Sequence, residues 1–247
     1  MNIIYIESTP STNSYLKELA NREEIKEGTF VVTREQTAGR GQAGNSWESE
    51  PDMNLTFSLL LYPTFLSMKD YFLLSKAVSL GVKDSLDEYV NNILIKWPND
   101  IYFEDRKMAG ILIENEIQGT KIVRSIIGIG ININQEVFSD WVPNPTSLRQ
   151  VTGQEFNLNS LMESFSENIL SRYRSLQDED KDNIEIDDNY YKALYRRDIY
   201  ADYKDKNGIF NAKIEAVDNS GFLHLTTDSG EKRQYTFKEV SFCKEHD

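Results

Sequence analysis

The chain has 247 residues, 39% of them hydrophobic and 27% charged, a globular balance with room for one large domain and a small one. It has no apolar run of about 18 residues or more to span a bilayer, and residues 1–7 lack the basic flank and cleavage site of a signal peptide, so a cytoplasmic protein without membrane partners is expected. Forty acidic against 27 basic residues give a formal charge of −13; this argues against non-specific nucleic-acid binding and requires that any anionic ligand meet a local basic cluster.

Residues 3–7 predict a strand, after which Ser11 or Thr12 can cap a helix carrying Leu16 and Leu19 on one face. Residues 30–34 predict a second strand, residues 35–54 a loop rich in Gly, Ser and Asn, and residues 55–61 a core strand. Within 69–89, Leu73, Leu74, Ala77, Val78 and Val82 fall at helical spacing. A short strand at 93–97 is ended by Pro98, and residues 108–116 with 121–133 form a hairpin around Gln118 and Gly119. The result is an α+β core, a mixed sheet flanked by helices.

Leu158, Leu161, Met162, Phe165, Ile169 and Tyr173 place another long helix before the acidic run 178–188, which reads as a solvated linker. The domain boundary is set there, with residues 1–190 as the main domain and 191–247 as the second. Beyond Asp198, β-prone segments are broken at Asn207-Gly208, residues 219–221 and Ser229-Gly230, as in a small barrel or sandwich. Cys243, the single cysteine, excludes an internal disulfide and a CxxC motif, and its apolar surroundings predict a buried thiol. His224 and His246 both lie near the C-terminus, which excludes a histidine triad or multi-histidine metal site.

Gly39-Arg40-Gly41-Gln42-Ala43-Gly44 matches the dinucleotide fingerprint GxGxxG after a predicted strand, but no helix opens at the third glycine and no acidic residue follows about twenty positions on. What survives is a mobile loop with amide donors and one cation, Arg40, suited to a carboxylate or phosphate; standing alone it would be better read as a plain surface turn. Lys96-Trp97-Pro98-Asn99-Asp100 then sets a cation, a flat aromatic, a rigid proline and an amide–acid pair directly after an apolar strand. The amide can bind a nucleotide and the carboxylate a Mg²⁺ ion, although the same residues also make a common turn. Lys107 opens the next strand, a place where a lysine is usually only an edge guard, and Ala109-Gly110 lets a ligand approach the backbone. Gly128 and Gly130, in Gly-Ile-Gly-Ile-Asn, suit a sheet against which a flat ligand presses, or a bulge.

In this order the motifs resemble the biotin–protein ligase family. The resemblance runs from Ser11-Thr12-Asn13 through residues 36–44, Trp47, residues 96–100, 107–114 and 128–132 to residues 145–148, and then into a small β domain. It implies a catalytic domain related to class II aminoacyl-tRNA synthetases, followed by an SH3-like β-barrel, and a reaction in which ATP activates biotin before transfer to a lysine of a biotin carboxyl carrier protein. By position it implies that Ser11, Thr12, Asn13 and Gln36 bind the biotin head, and that Arg40 and the amides of Gly39, Gly41 and Gln42 close over its carboxylate. Gly110, Gly128 and Gly130 would line the biotin site. Trp47 would stack on adenine, Asn99 and Asn132 would reach the nucleotide, Lys96 would support its phosphates, Asp100 would help hold Mg²⁺, and Lys107 would bind the carboxylate and α-phosphate as the catalytic cation.

Many relatives carry GRGRxGR in the loop, whereas Gln42 and Asn45 stand here, which implies a less tightly held adenylate. The first catalytic strand begins at Ile3, where bifunctional relatives place a helix-turn-helix domain ahead of it, so a monofunctional enzyme is expected. Relatives occur as monomers and as homodimers. A lipoate–protein ligase and a non-enzymatic biotin sensor are the rival readings.

Overall fold

The computed structural model describes residues 2–177 and 184–243. The chain opens with β1 (Asn2–Thr9), α1 (Thr12–Arg22) and β2 (Thr29–Gln36), the two strands lying parallel. It continues through β3 (Leu55–Leu61), α2 (Phe72–Asp87), β4 (Ile93–Lys96), β5 (Asp100–Phe103), β6 (Arg106–Gln118) and β7 (Lys121–Ile131). These strands form one seven-stranded mixed sheet in the order β1-β2-β3-β7-β6-β5-β4. Every pairing after β1–β2 is antiparallel.

The two faces of this sheet differ because β3 alternates chemically. Leu55, Phe57, Leu59 and Leu61 point into the main core with Ile127, Ile129 and Ile131, beneath α2 and the later α4 (Leu158–Gln177). On the other face Leu60 packs with Leu16 of α1, Val31 and Ile126, but the next two residues facing that way are Ser58 and Thr56. Beyond the footprint of α1 the sheet therefore has no apolar cover to keep, and a cavity opens on it.

Between β7 and α4 a short helix, α3 (Leu148–Thr152), is fixed at both ends. Ser147 and Gln150 form a capping box and Gly153 closes the helix in the left-handed region. The acidic run expected to be a linker behaves otherwise where it is described: residues 178–183 lie outside the described residues, but α5 (Ile184–Ala193) takes up 184–188. Glu185 and Asp187 sit in its first turn, where carboxylates favour a helix N-terminus, and Ile186 and Tyr190 are buried four residues apart. The run is charged because one helix face is wet.

The C-terminal part holds β8 (Ala201–Asp205), β9 (Gly208–Val217), β10 (Leu223–Thr227), β11 (Lys232–Tyr235) and β12 (Ser241–Phe242). They form an antiparallel sheet in the order β11-β10-β9-β8-β12. Its turns use Gly208, Gly221 and Gly230 at positive φ, as the sequence breaks predict. One apolar cluster runs through both sheets. Lys76 of α2, 1% exposed, crosses the junction: its Nζ donates to Asp187 Oδ1 at 2.6 Å, Val217 O at 2.7 Å and Asn219 Oδ1 at 3.0 Å. Phe72 N donates to Asn219 O at 3.0 Å.

Cys243 is half-buried rather than buried, because it follows the short edge strand β12. No helix among the described residues is long and apolar enough to cross a membrane. His224 pairs with Asp218 at 2.8 Å; His246 lies outside the described residues.

Candidate active site

The strand register lays out the floor of the cavity. Thr56, Gly130, Gly110, Asp100 and Lys96 are successive partners across β3, β7, β6, β5 and β4, so they form one row on one face. The neighbouring row pairs Ser58 with Gly128 and Gly128 with Leu112. The cavity above has a volume of about 440 Å³ and reaches from Ser11, Thr12 and Gln36 at one end to Lys96, Lys107 and Phe242 at the other.

One end is internally bonded and buried. Gln36 Oε1 accepts from Thr12 N at 2.9 Å and Thr12 Oγ1 at 3.2 Å. Ser58 Oγ lies 2.7 Å from Thr12 Oγ1 and 2.6 Å from Asn13 Oδ1. Asn13 Nδ2 donates to Glu114 Oε2 at 2.7 Å. Ser11 occupies the N-cap position of α1 without a side-chain cap bond, since Gln36 serves the first free amide of the helix. A methyl at Gly128 would come within 2.5 Å of Asn13 Oδ1, so this glycine makes room for the asparagine.

The glycine-rich loop is a small hairpin. Gly41 N donates to Asn45 O at 2.7 Å and Trp47 N to Gly39 O at 2.9 Å, around a 3₁₀ turn at Gln42–Gly44. Arg40 is turned onto Glu114, with its Nη2 at 3.1 Å from Oε2 and 3.3 Å from Ser14 Oγ. Glu114 thus joins the head of the cavity to the loop, a role its place in an amphipathic strand did not advertise. The Trp47 indole lies over Gly130 and Gly110: a methyl at Gly130 would overlap the ring, and one at Gly110 would approach Cζ3 to 3.1 Å. The flat group on the paired glycines is the chain's own indole. Its Nε1 is buried without a hydrogen-bond partner among the described residues, as are Gln42 Oε1 and Thr56 Oγ1.

At the far end Lys107 Nζ lies 2.6 Å from Asp100 Oδ1 and 5.8 Å from the centre of the Trp47 ring. Lys96 Nζ donates to Tyr102 OH at 3.0 Å inside a cage of rings, 4.7 Å from Tyr102, 5.3 Å from Phe242 and 5.8 Å from Tyr195. Burial of this ammonium lowers its pKa from the ordinary lysine value, an effect Asp100 opposes. Asn99 lines the cavity with its amide donating to Ile111 O at 2.7 Å. Trp97 is buried as an anchor, its Nε1 donating to Gly221 O at 3.0 Å.

Ser11, Thr12, Asn13, Gln36, Arg40, Gly41, Gln42, Trp47, Lys96, Asn99, Asp100, Lys107, Gly110, Gly128 and Gly130 all line this cavity. Gly39 and Asn132 do not. Asn132 is buried below it, its Nδ2 donating to Thr146 O at 3.0 Å, and so holds the segment leading into α3 instead of facing a ligand. Gly39 packs against Trp47 O and the Gln36 amide, which leaves no space for a side chain at the base of the hairpin. Asp100 faces Lys107, and the described residues contain no cluster of three or more His, Cys, Asp or Glu able to hold a metal. Thr56, Ser58, Phe237 and Phe242 belong to the site or its support without a sequence motif to mark them.

A trough with a polar, prebonded head, a glycine floor and two lysines at its other end is a site for a small molecule that is uncharged at one end and anionic at the other. The chain belongs to the biotin/lipoate A/B protein ligase family, whose model matches residues 5–132. It is 32% identical over 241 residues to the bifunctional ligase/repressor BirA of Bacillus subtilis, a match covering 95% of this chain and 72% of that protein. The biotin–[acetyl-CoA-carboxylase] ligase of Paracoccus denitrificans is 34% identical over 128 residues, covering 51% of this chain and 52% of the relative. The biotin protein ligase of Aquifex aeolicus, solved in complex with biotin and ATP, superposes with a TM-score of 0.81 at 25% identity, covering 98% and 99% of the two chains.

Proposed function

We propose that this protein is an ATP-dependent biotin–protein ligase that forms biotinyl-5′-AMP and passes biotin to a lysine of a biotin carboxyl carrier protein. The observation that carries the reading is the single trough joining the Thr12–Asn13–Gln36–Ser58 cluster to Lys107 and Lys96. In the first step a biotin carboxylate oxygen attacks the α-phosphorus of ATP and the bond to pyrophosphate breaks. In the second the carrier amine attacks the carbonyl carbon, the bond to the phosphate oxygen breaks with AMP as leaving group, and the amine sheds its proton. Neither step needs a side-chain nucleophile; both need anions brought together and their charge stabilised.

Lys107 supplies that charge by exchanging Asp100 for the reacting oxygens. Lys96, held by its ring cage, faces the phosphates with the donors that Tyr102 leaves free. Arg40 exchanges Glu114 for the carboxylate. Its present ion pair is about half exposed, a setting in which such pairs contribute little, so the exchange costs little. The Trp47 indole leaves the glycine floor when the acid enters and becomes available to the adenine ring. Asp100 is the one carboxylate lining the cavity among the described residues. That suits a Mg²⁺ ion bound mainly through ATP phosphates, which would neutralise phosphate charge.

Residues 191–247 form the second domain in this reading and complete the phosphate end with Phe242. The −13 charge argues against non-specific nucleic-acid binding, and a cytoplasmic enzyme acting on a soluble carrier fits the composition. Biotin-dependent exchange of labelled pyrophosphate into ATP tests the assignment, with lipoate and no acid as controls. Exchange with biotin alone is expected; exchange with lipoate in place of biotin, or with neither acid, would overturn it.

A further inference from the structure

Thr56 carries a hydroxyl for which the fold has no use. The residue is 5% exposed and lines the cavity, and its Oγ1 has no hydrogen-bond partner among the described residues. Valine has the same shape and the same preference for strands, so packing alone gives no reason for the oxygen, whose burial unpaired is unfavourable. The contrast with Ser58 is direct. Two residues along on the same face, Ser58 meets both Thr12 and Asn13. Thr56 stands one step further along, where the prebonded cluster ends and the floor under Trp47 begins.

The register fixes what that position can reach. Thr56 and Gly110 share a row with only Gly130 between them, so they are two strand spacings apart, about 10 Å. Lys107 Nζ sits over Gly110, 3.5 Å from where a methyl there would stand. A ring at Thr56 with an extended five-carbon acid chain over Gly130 brings its carboxylate to Lys107. We infer that Thr56 is a specificity residue whose hydroxyl hydrogen-bonds the ureido-bearing ring of the acid substrate. The inference rests on the biotin ligase reading and deepens it. A dithiolane ring such as that of lipoate has no N–H or C=O to offer, so it leaves the buried hydroxyl unpaired and is disfavoured.

The test compares Thr56→Val and Thr56→Ser in the full chain, by calorimetric titration with biotin alone and by KM values in the exchange reaction. Thr56→Val is expected to weaken biotin binding about tenfold, the size of one lost hydrogen bond, with the KM for ATP unchanged within about twofold. Thr56→Ser should stay within about threefold of wild type. The melting temperature of ligand-free Thr56→Val should equal or exceed that of wild type, because an unpaired buried hydroxyl has been removed. A purely structural role would instead lower it. Biotin affinity in Thr56→Val equal to that of a biotin-binding wild type would overturn this inference alone, as would a change confined to ATP. A wild-type protein that binds no biotin would overturn the ligase reading and this inference with it.

Discussion

The two ends of the cavity are built on opposite plans. At the head, Thr12, Asn13 and Ser58 are buried and bonded to one another and to the half-buried Gln36, so the site exists before a ligand arrives. At the loop and phosphate end, cations are held by carboxylates that a substrate must displace: Arg40 by Glu114 and Lys107 by Asp100. There the floor is covered by an indole whose nitrogen has no partner among the described residues. The lesson is one of division: a neutral ring is recognised by rigid geometry, whereas anions are met by charges parked on exchangeable partners, so that no bare cation cluster needs to be sustained in the resting protein.

That contrast can be broken by mutation. Lys107→Ala should cost the most, lowering the single-turnover rate of pyrophosphate release by roughly 10²-fold or more, with the melting curve little changed because the pair with Asp100 is partly exposed. Ser58→Ala should behave in the opposite manner. It removes a buried bond at the prebonded end, so biotin binding should fall about tenfold while stability falls by about 1–3 kcal/mol in chemical denaturation. If Ser58→Ala left stability intact, the head would not be preorganised.

A pH profile tests the phosphate end. Burial lowers the Lys96 pKa, so its cation is lost as pH rises through a value below the ordinary 10.5. The adenylation rate should therefore decline on the alkaline side earlier than a solvent-exposed lysine would allow, and Lys96→Arg should remove that limb. By linkage, folding stability should rise slightly over the same interval, since the unfolded chain then holds the proton that the native one has released. The smallest expected effect is optical. Biotin should shift the intrinsic fluorescence of the wild-type protein as the Trp47 indole leaves the glycines, and Trp47→Phe should lose that shift.

Much of this was legible in the sequence because it rests on strong local signals. Apolar runs bounded by turn residues located β3, β7 and the C-terminal strands, and helical periodicity located α2 and α4. The cavity residues of the glycine-rich loop and of residues 96–100 were legible because cations and amides beside apolar strands have no packing purpose. What was hidden had physical reasons. Strand β5 is only four residues long, so Asn99-Asp100 reads as an exposed turn although Asp100 pairs with Lys96 and Gly110. Helix α5 was masked by its own carboxylates. Gly128 and Gly130 signalled close approach correctly, but a sequence cannot say whether the approaching group is a ligand, Asn13 or Trp47. Asn132 directly follows the strand of those glycines yet serves the backbone of Thr146. Thr56 looks like any β-branched strand residue until its oxygen is seen to lack a partner.

The buried ammonium of Lys76 has a bearing on how the protein comes apart. Its three acceptors come from α5, from the last residue of β9 and from the turn that follows, and the surrounding apolar cluster is shared by both sheets. Cutting the chain after Asp188 would leave it one of those acceptors and uncover Phe72. A boundary that reads as a hinge in composition is thus a weld in energy: urea should melt the two sheets in one transition, and an isolated catalytic fragment should not refold.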